Sequence, residues 1–145
     1  MAYLLCQNNA TTTKARIAEA LWPETELIQA LNNLYKLCNH LKDPKNERLP
    51  IIVHRNEISL DGAMYSCDLK DFDLFYAEKT IASYEQAIRL YYGPAFSEDN
   101  YWWTSEYEAK YDIEYYQILD FLIKAYEQKN PQLSKYYKKL YDKML

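Results

Sequence analysis

Two glycines, Gly62 and Gly93, and five prolines are all the strong turn-makers this 145-residue chain has. Glycine reaches positive φ without steric cost and proline presets a turn, so a chain this poor in both has few places to reverse direction. Its apolar surface must therefore be buried by long elements joined by few connections. That surface is large, since 49% of residues are hydrophobic and 16% aromatic, beside 26% charged. These proportions reject disorder and collagen-like character and predict a mostly helical globular protein. The length suits one domain or two small ones.

The periodicity fills in this outline. YLLCQNN reads as the end of a helix, and TTT as either a short strand or an N-terminal cap. KARIAEAL follows as a compact helix with Ile17, Ala20 and Leu21 on one face, ended by Pro23. In ETELIQALNNLYKLCNHLKD, Leu27, Leu31, Leu34, Cys38 and Leu41, joined by Ala30 and Leu37, make one apolar stripe at helical spacing. Gln29, Asn32, Lys36, Asn39, His40 and Asp43 occupy the opposite face. After the polar run DPKNER, IIVH and EISL read as a hairpin turning through Arg55 and Asn56, with Asn56 suited to a left-handed conformation. Helix, turn, longer helix and hairpin is the order of a winged helix-turn-helix, here over residues 1–66.

Beyond Gly62 the pattern is helical throughout, over residues 67–145. Leu69, Phe72, Phe75 and Tyr76 predict one helix; Ile81, Tyr84, Ala87, Ile88 and Tyr91 predict a second, with the break near Ala82 and Ser83. YYGP is a hard stop, because Gly93 suits the positive φ that closes a helix and Pro94 cannot continue one. Ser97, Asp99 and Asn100 offer capping oxygens for a long helix from Tyr101 to Gln128, and KNPQ turns the chain into a last helix over Leu133 to Leu145.

Charge and cysteine usage narrow the function. Residues 1–66 carry seven bases and seven acids, and residues 67–145 carry ten bases and fourteen acids, so neither half is a basic body. Cys6, Cys38 and Cys67 are odd in number and widely spaced, which suits reduced thiols. No CxxC pair exists and His40 and His54 lack partners at ligand spacing, so neither a metal nor another cofactor is expected. No apolar run reaches the roughly 18 residues needed to span a bilayer and no basic leader opens the chain, so a cytoplasmic protein without membrane contact is expected. Gly62 and Gly93 stand alone rather than in a phosphate-binding loop, and no GxSxG or HExxH occurs, so an enzyme is not expected.

The motifs RIAEALWPE (16–24), ALNNLYKLCNHL (30–41), ISLD (58–61), CDLKDF (67–72) and LYYGPAF (90–96), with Trp102 and Trp103 after it, stand in the order of one family. The chain resembles the bacterial regulators in which an OmpR-like winged helix precedes a bacterial transcriptional activator domain, as in the Streptomyces antibiotic regulatory proteins and related response regulators. The resemblance implies transcriptional regulation and a tetratricopeptide-like second part. It implies that YYGPAF connects two helix pairs. It also implies a truncated winged helix, because the family's N-terminal strands have no counterpart before residue 1. Where the family's long helix often carries an Arg-Lys pair, this sequence has Cys38 and Asn39.

The candidate site follows. Asn32, Lys36, Asn39 and His40 would face bases or backbone of double-stranded DNA, since Asn pairs bidentately with adenine and Lys meets guanine or phosphate. Arg55 and Asn56 would touch the backbone as a wing, with Lys14 and Arg16 holding phosphate at a helix start. The bland alternative is a solvated polar face over an apolar core. A different class of function is a protein-interaction module in which the bundle binds a partner or forms a homodimer. Sixteen tyrosines favour it, because neighbours such as Tyr115-Tyr116 and Tyr136-Tyr137 cannot both turn into one core face.

Overall fold

The computed structural model describes residues 1–98 and 101–145, and the chain divides into two compact units, Met1–Ser66 and Cys67–Leu145. In the first, α1 (Ala2–Leu5) and a short 3₁₀ turn (Asn8–Ala10) lead into β1 (Thr11–Thr13), α2 (Lys14–Leu21), α3 (Leu27–Leu41), β2 (Ile51–Val53) and β3 (Glu57–Leu60). The threonine run is both strand and cap. Thr12 pairs with Ile58 in an antiparallel ladder, and the Thr13 hydroxyl accepts the Arg16 N–H at 3.3 Å to start α2. The sheet is therefore three-stranded, in the order β1-β3-β2, rather than a lone hairpin.

Ile58 and Leu60 point from the central strand into a core shared with Leu4, Ile17, Ala18, Ala30, Leu34 and Cys38. α2 and α3 form a helix-turn-helix and the β2–β3 hairpin stands as its wing. The apolar stripe of α3 is narrower than its sequence implies. Ala30, Leu34 and Cys38 are buried, whereas Leu27 and Leu37, like Leu21 of α2, are substantially exposed. A stripe buries only the length that has something packed against it, and Leu21 and Leu27 lie at helix ends.

In the second unit α4 (Asp68–Glu78), α5 (Ile81–Leu90), α6 (Thr104–Tyr126) and α7 (Pro131–Met144) form a mainly helical bundle. The α4–α5 break falls at Lys79 and Thr80, not at Ala82 and Ser83: Lys79 takes the left-handed conformation at φ 55°, and Thr80 and Ser83 close a reciprocal capping box. Thr80→Ala removes the hydroxyl that accepts the Ser83 N–H at 3.0 Å. It is expected to lower the unit's unfolding free energy by about 1 kcal/mol in urea, with Thr80→Ser keeping most of it. Equal losses for both would refute the cap.

α5 ends at Leu90, with Tyr91 extended, so Gly93, at φ 153°, serves the connection beyond the helix rather than its last turn. α6 begins at Thr104 rather than Tyr101, and its N-cap position, Trp103, makes no side-chain capping bond. Ser97 therefore does not cap it, and Asp99 and Asn100 lie outside the described residues. α7 starts two residues before Leu133, because Pro131 fits the first helical turn and the Asn130 side chain accepts the Leu133 N–H. The core gathers Phe72, Tyr84, Ala87, Tyr111, Tyr115, Ile118, Leu119, Leu122 and Tyr137.

Candidate nucleic-acid interface

The residues singled out for DNA contact fall into two groups, and backbone pairing assembles the first. The β1–β3 ladder runs one step beyond the strands, so that the Lys14 N–H donates to the Asn56 carbonyl at 3.0 Å. The hairpin tip is thereby tied to the first residue of α2. The turn itself has two residues, since the His54 N–H donates to the Glu57 carbonyl at 2.9 Å across it. Arg55 and Asn56 are exposed there, as is Arg16, two positions along α2 from Lys14, which is half-buried. Asn56 is not left-handed; among the described non-glycine residues positive φ occurs at Asn9, Ala10, Lys79 and Phe96. Its carbonyl has to meet Lys14, which holds it in the ladder instead.

The second group lies along α3. Asn32, Lys36, Asn39 and His40 are all exposed and, at helical spacing, share an arc of about 100° with Gln29. This arc is opposite Ala30, Leu34 and Cys38. Lys36 is its one cation within the helix, and Lys42 follows at the C-cap. Glu24 and Glu26, exposed in the turn leading into α3, set negative charge at its other end. Glu26 suits the helix dipole there but opposes a phosphate. His40 stands in the last turn, where its carbonyl accepts the Asn46 side-chain amide at 2.6 Å and folds the following loop back on the helix end.

Lys14 and Asn39 also meet at a cleft of about 230 Å³ whose other walls are Leu31, Leu34, Tyr35, Cys38, Lys42 and Val53. Burial pushes the Cys38 thiol above its ordinary value, and Lys14 and Lys42 pull the other way. A side chain so placed belongs to the core, so a cation could not replace Cys38 without being buried. The polar character of α3 is carried by its neighbours in sequence.

Sequence reasoning missed three residues on this helix. Lys42 lies three positions beyond Asn39, and Ile28 and Tyr35 border the polar arc at 76% and 69% exposure. The signal for the last two was their spacing: seven apart, they sit on one line of the helix, outside the stripe that packs.

In the second unit the tyrosine pairs divide as neighbours on a helix must. Tyr115 and Tyr137 are buried; Tyr116 is half-buried with its ring edge-on to Tyr141 at 5.0 Å, and Tyr136 is exposed. Hydroxyls at the rim of the core stitch helices together through carboxylates. Tyr126 of α6 and Tyr137 of α7 both donate to Glu85 Oε1 of α5, at 2.7 and 3.3 Å. Tyr91 donates to Asp112 at 2.5 Å, and Tyr111 to Asp73 at 3.2 Å. Tyr91 and Tyr115 stack at 3.9 Å between ring centres. Burial raises the Glu114 carboxyl above its ordinary value despite Lys110 nearby, and its Oε2 has no hydrogen-bond partner.

The segment Tyr91–Pro94 is shared by two clefts, of about 260 and 430 Å³, lined on one side by Phe72, Phe96 and Tyr111 and on the other by Tyr116, Leu140 and Met144. Among the described residues there is no cluster of three or more His, Cys, Asp or Glu able to hold a metal ion. None of the described helices is long and apolar enough to cross a membrane. Neither a protein-family model, nor a curated protein, nor a solved structure matches the chain.

Proposed function

We propose that this chain is the DNA-contacting part of a cytoplasmic, non-catalytic transcriptional regulator, with the winged helix-turn-helix of Met1–Ser66 meeting duplex DNA and the helical unit serving oligomerisation or partner binding. The observation that carries the reading is the joining of the hairpin tip to the start of α2 through Lys14 and Asn56, beside a helix that carries an exposed polar arc from Gln29 to His40. Such a frame offers a helix to the major groove and a wing to the adjacent backbone. Asn32 and Asn39 have the amide chemistry to pair with adenine, and Lys36, Arg55 and Arg16 have the charge for guanine or phosphate. With Lys36 the one cation within α3, this surface positions more than it attracts, because affinity for DNA comes largely from phosphate neutralisation.

Fluorescence anisotropy with a mixed-sequence duplex at several salt concentrations tests it. Lys36→Ala and Arg55→Ala should each weaken binding on every sequence, and each should flatten the slope of log K against log salt by about 0.9 for every phosphate no longer neutralised. Asn32→Ala should instead relax preference at one base pair, by about 1–3 kcal/mol. Unchanged slopes in both cation variants would remove the wing and α3 from any DNA interface.

A second reading, a protein-interaction module without DNA contact, is favoured by Ile28 and Tyr35 on α3 and by Tyr92 and Trp102, which are exposed in the helical unit. Aromatic residues of this kind anchor protein interfaces. The helix pairs α4–α5 and α6–α7 fit a tetratricopeptide-like scaffold, on which such anchors would be presented.

A further inference from the structure

The helical unit is acidic on average, and the average conceals a separation of charge. Residues 67–130 carry thirteen acids and six bases, whereas α7, Pro131–Met144, carries four lysines and one aspartate. Packing divides α7 sharply. Ser134 and Tyr137 are buried and Leu133, Leu140 and Tyr141 half-buried, so these turn to the core, while Lys135, Lys138, Lys139 and Lys143 are all exposed. At helical spacing the four lysines fall on the face away from Tyr137, over a rise of roughly 12 Å.

Among the described residues no acid is ion-paired to these lysines, although Asp142 shares their face and lowers its net charge to +3. The ion pairs among the described residues join Lys110 to Asp73 and Glu114, and Lys124 to Asp120; none involves α7. Asp142 stands three and four positions from Lys139 and Lys138 without pairing to either. Lys135 has Lys138 and Lys139 at the spacings where like charges repel, and Lys139 has Lys143. The helix dipole accounts for Lys143 in the last turn, but Lys135 lies toward the N-terminus and Lys138 at the middle of the helix, where a cation gains nothing from it.

We propose that the outer face of α7 is a second nucleic-acid contact, holding the phosphodiester backbone of duplex DNA through Lys135, Lys138, Lys139 and Lys143. Lysine is a compact, strongly hydrated cation that is depleted from the dry centres of protein interfaces and suits phosphates that stay partly solvated. Release of condensed counterions rewards a dense row of unpaired cations on a polyanion. The acidic remainder of the unit repels the same polymer, so approach is restricted to this one face. It supplies the charge that the neutral first unit lacks.

The test uses the full chain and a mixed-sequence duplex, read by anisotropy over a salt series. Replacing all four lysines by glutamine should lower affinity at low salt at least tenfold, and should flatten the slope of log K against log salt by about 0.9 for each phosphate that a lysine had neutralised. The matching four-arginine variant should keep the slope. All four positions are exposed, and unchanged helical circular dichroism verifies the fold of each variant. An unchanged slope in the glutamine variant overturns the inference, as does failure of the unaltered chain to bind at low salt. Loss of a salt-sensitive dimer in sedimentation, with DNA binding unaltered, overturns it in favour of a second copy of the chain as the occupant. The inference and the winged-helix reading fail separately: an effect of Lys36→Ala and Arg55→Ala without one from α7 leaves that reading standing alone, and the reverse leaves α7 alone.

Discussion

Leu122→Ala is expected to cost the helical unit about 2–5 kcal/mol of unfolding free energy, more than any other single truncation proposed for this chain. Leu122 is fully buried, at 0% exposure, on the same face of α6 as Ile118 and Leu119. Deleting three carbons there forfeits their transfer from water and leaves a cavity that the walls fill only in part. The core that holds Leu122 also holds large rings, among them Tyr84 and Tyr137. Tyr137 is fixed by a hydroxyl bond to Glu85, which limits how far it can move inward. For a domain of this size each kcal/mol moves the melting midpoint by about 4–8 °C, and marginal domains have only about 5–15 kcal/mol in total, so much of the unit's stability would go. Leu74→Ala supplies the control. Leu74 lies on α4 at 64% exposure, and its loss should stay within about 0.5 kcal/mol. Urea unfolding of both variants decides: similar losses would mean that the face of α6 assigned to the core is not its centre.

The contrast between these leucines also marks what could be read from the sequence. The α3 stripe was legible because Ala30, Leu34 and Cys38 repeat at helical spacing, but its width was not, since Leu27 and Leu37 extend it past the elements it packs against. The two-residue turn at Arg55 and Asn56 was legible from its flanking strands; the conformation of Asn56 was not, because it depends on a bond to Lys14, far away in sequence. β1 is a similar case. Three threonines are equally suited to strand and cap, and only pairing with β3 decides that they are both. The α4–α5 break was placed late because Lys79 is a poor candidate for a left-handed residue, and the Thr80–Ser83 box is what stabilises it there. For the candidate site, residue identities were readable and surroundings were not. The lysines of α7 stood in the sequence throughout, hidden by a unit average that is acidic.

Above pH 10 the helical unit should lose stability steeply while its tyrosines resist ionisation. Five of them, Tyr84, Tyr91, Tyr115, Tyr126 and Tyr137, are held above the ordinary value of 10.0. For Tyr137 the causes are burial and then the Glu85 carboxylate beside its hydroxyl; for Tyr126 the bond to Glu85 comes first. A group that binds its proton more tightly when folded stabilises the fold fully below its unfolded value. That stabilisation declines as pH rises from 10.0 toward the raised folded value. Tyr84, Tyr115 and Tyr137, which are buried, each steepen the decline by about 1.4 kcal/mol per pH unit while the fold keeps a proton that the unfolded chain has lost. Tyr137→Phe removes one such group, so its decline above pH 10 should be shallower by one proton, even though the variant starts less stable for want of the bond to Glu85. Urea unfolding across a pH series, with tyrosinate absorbance followed in parallel, reads both quantities. Tyr84, Tyr91, Tyr115, Tyr126 and Tyr137 should ionise only as helix is lost. Ionisation of these five tyrosines in one step near pH 10 with the helices preserved would mean that the hydroxyl–carboxylate bonds at Glu85 and Asp112 do not hold the bundle together.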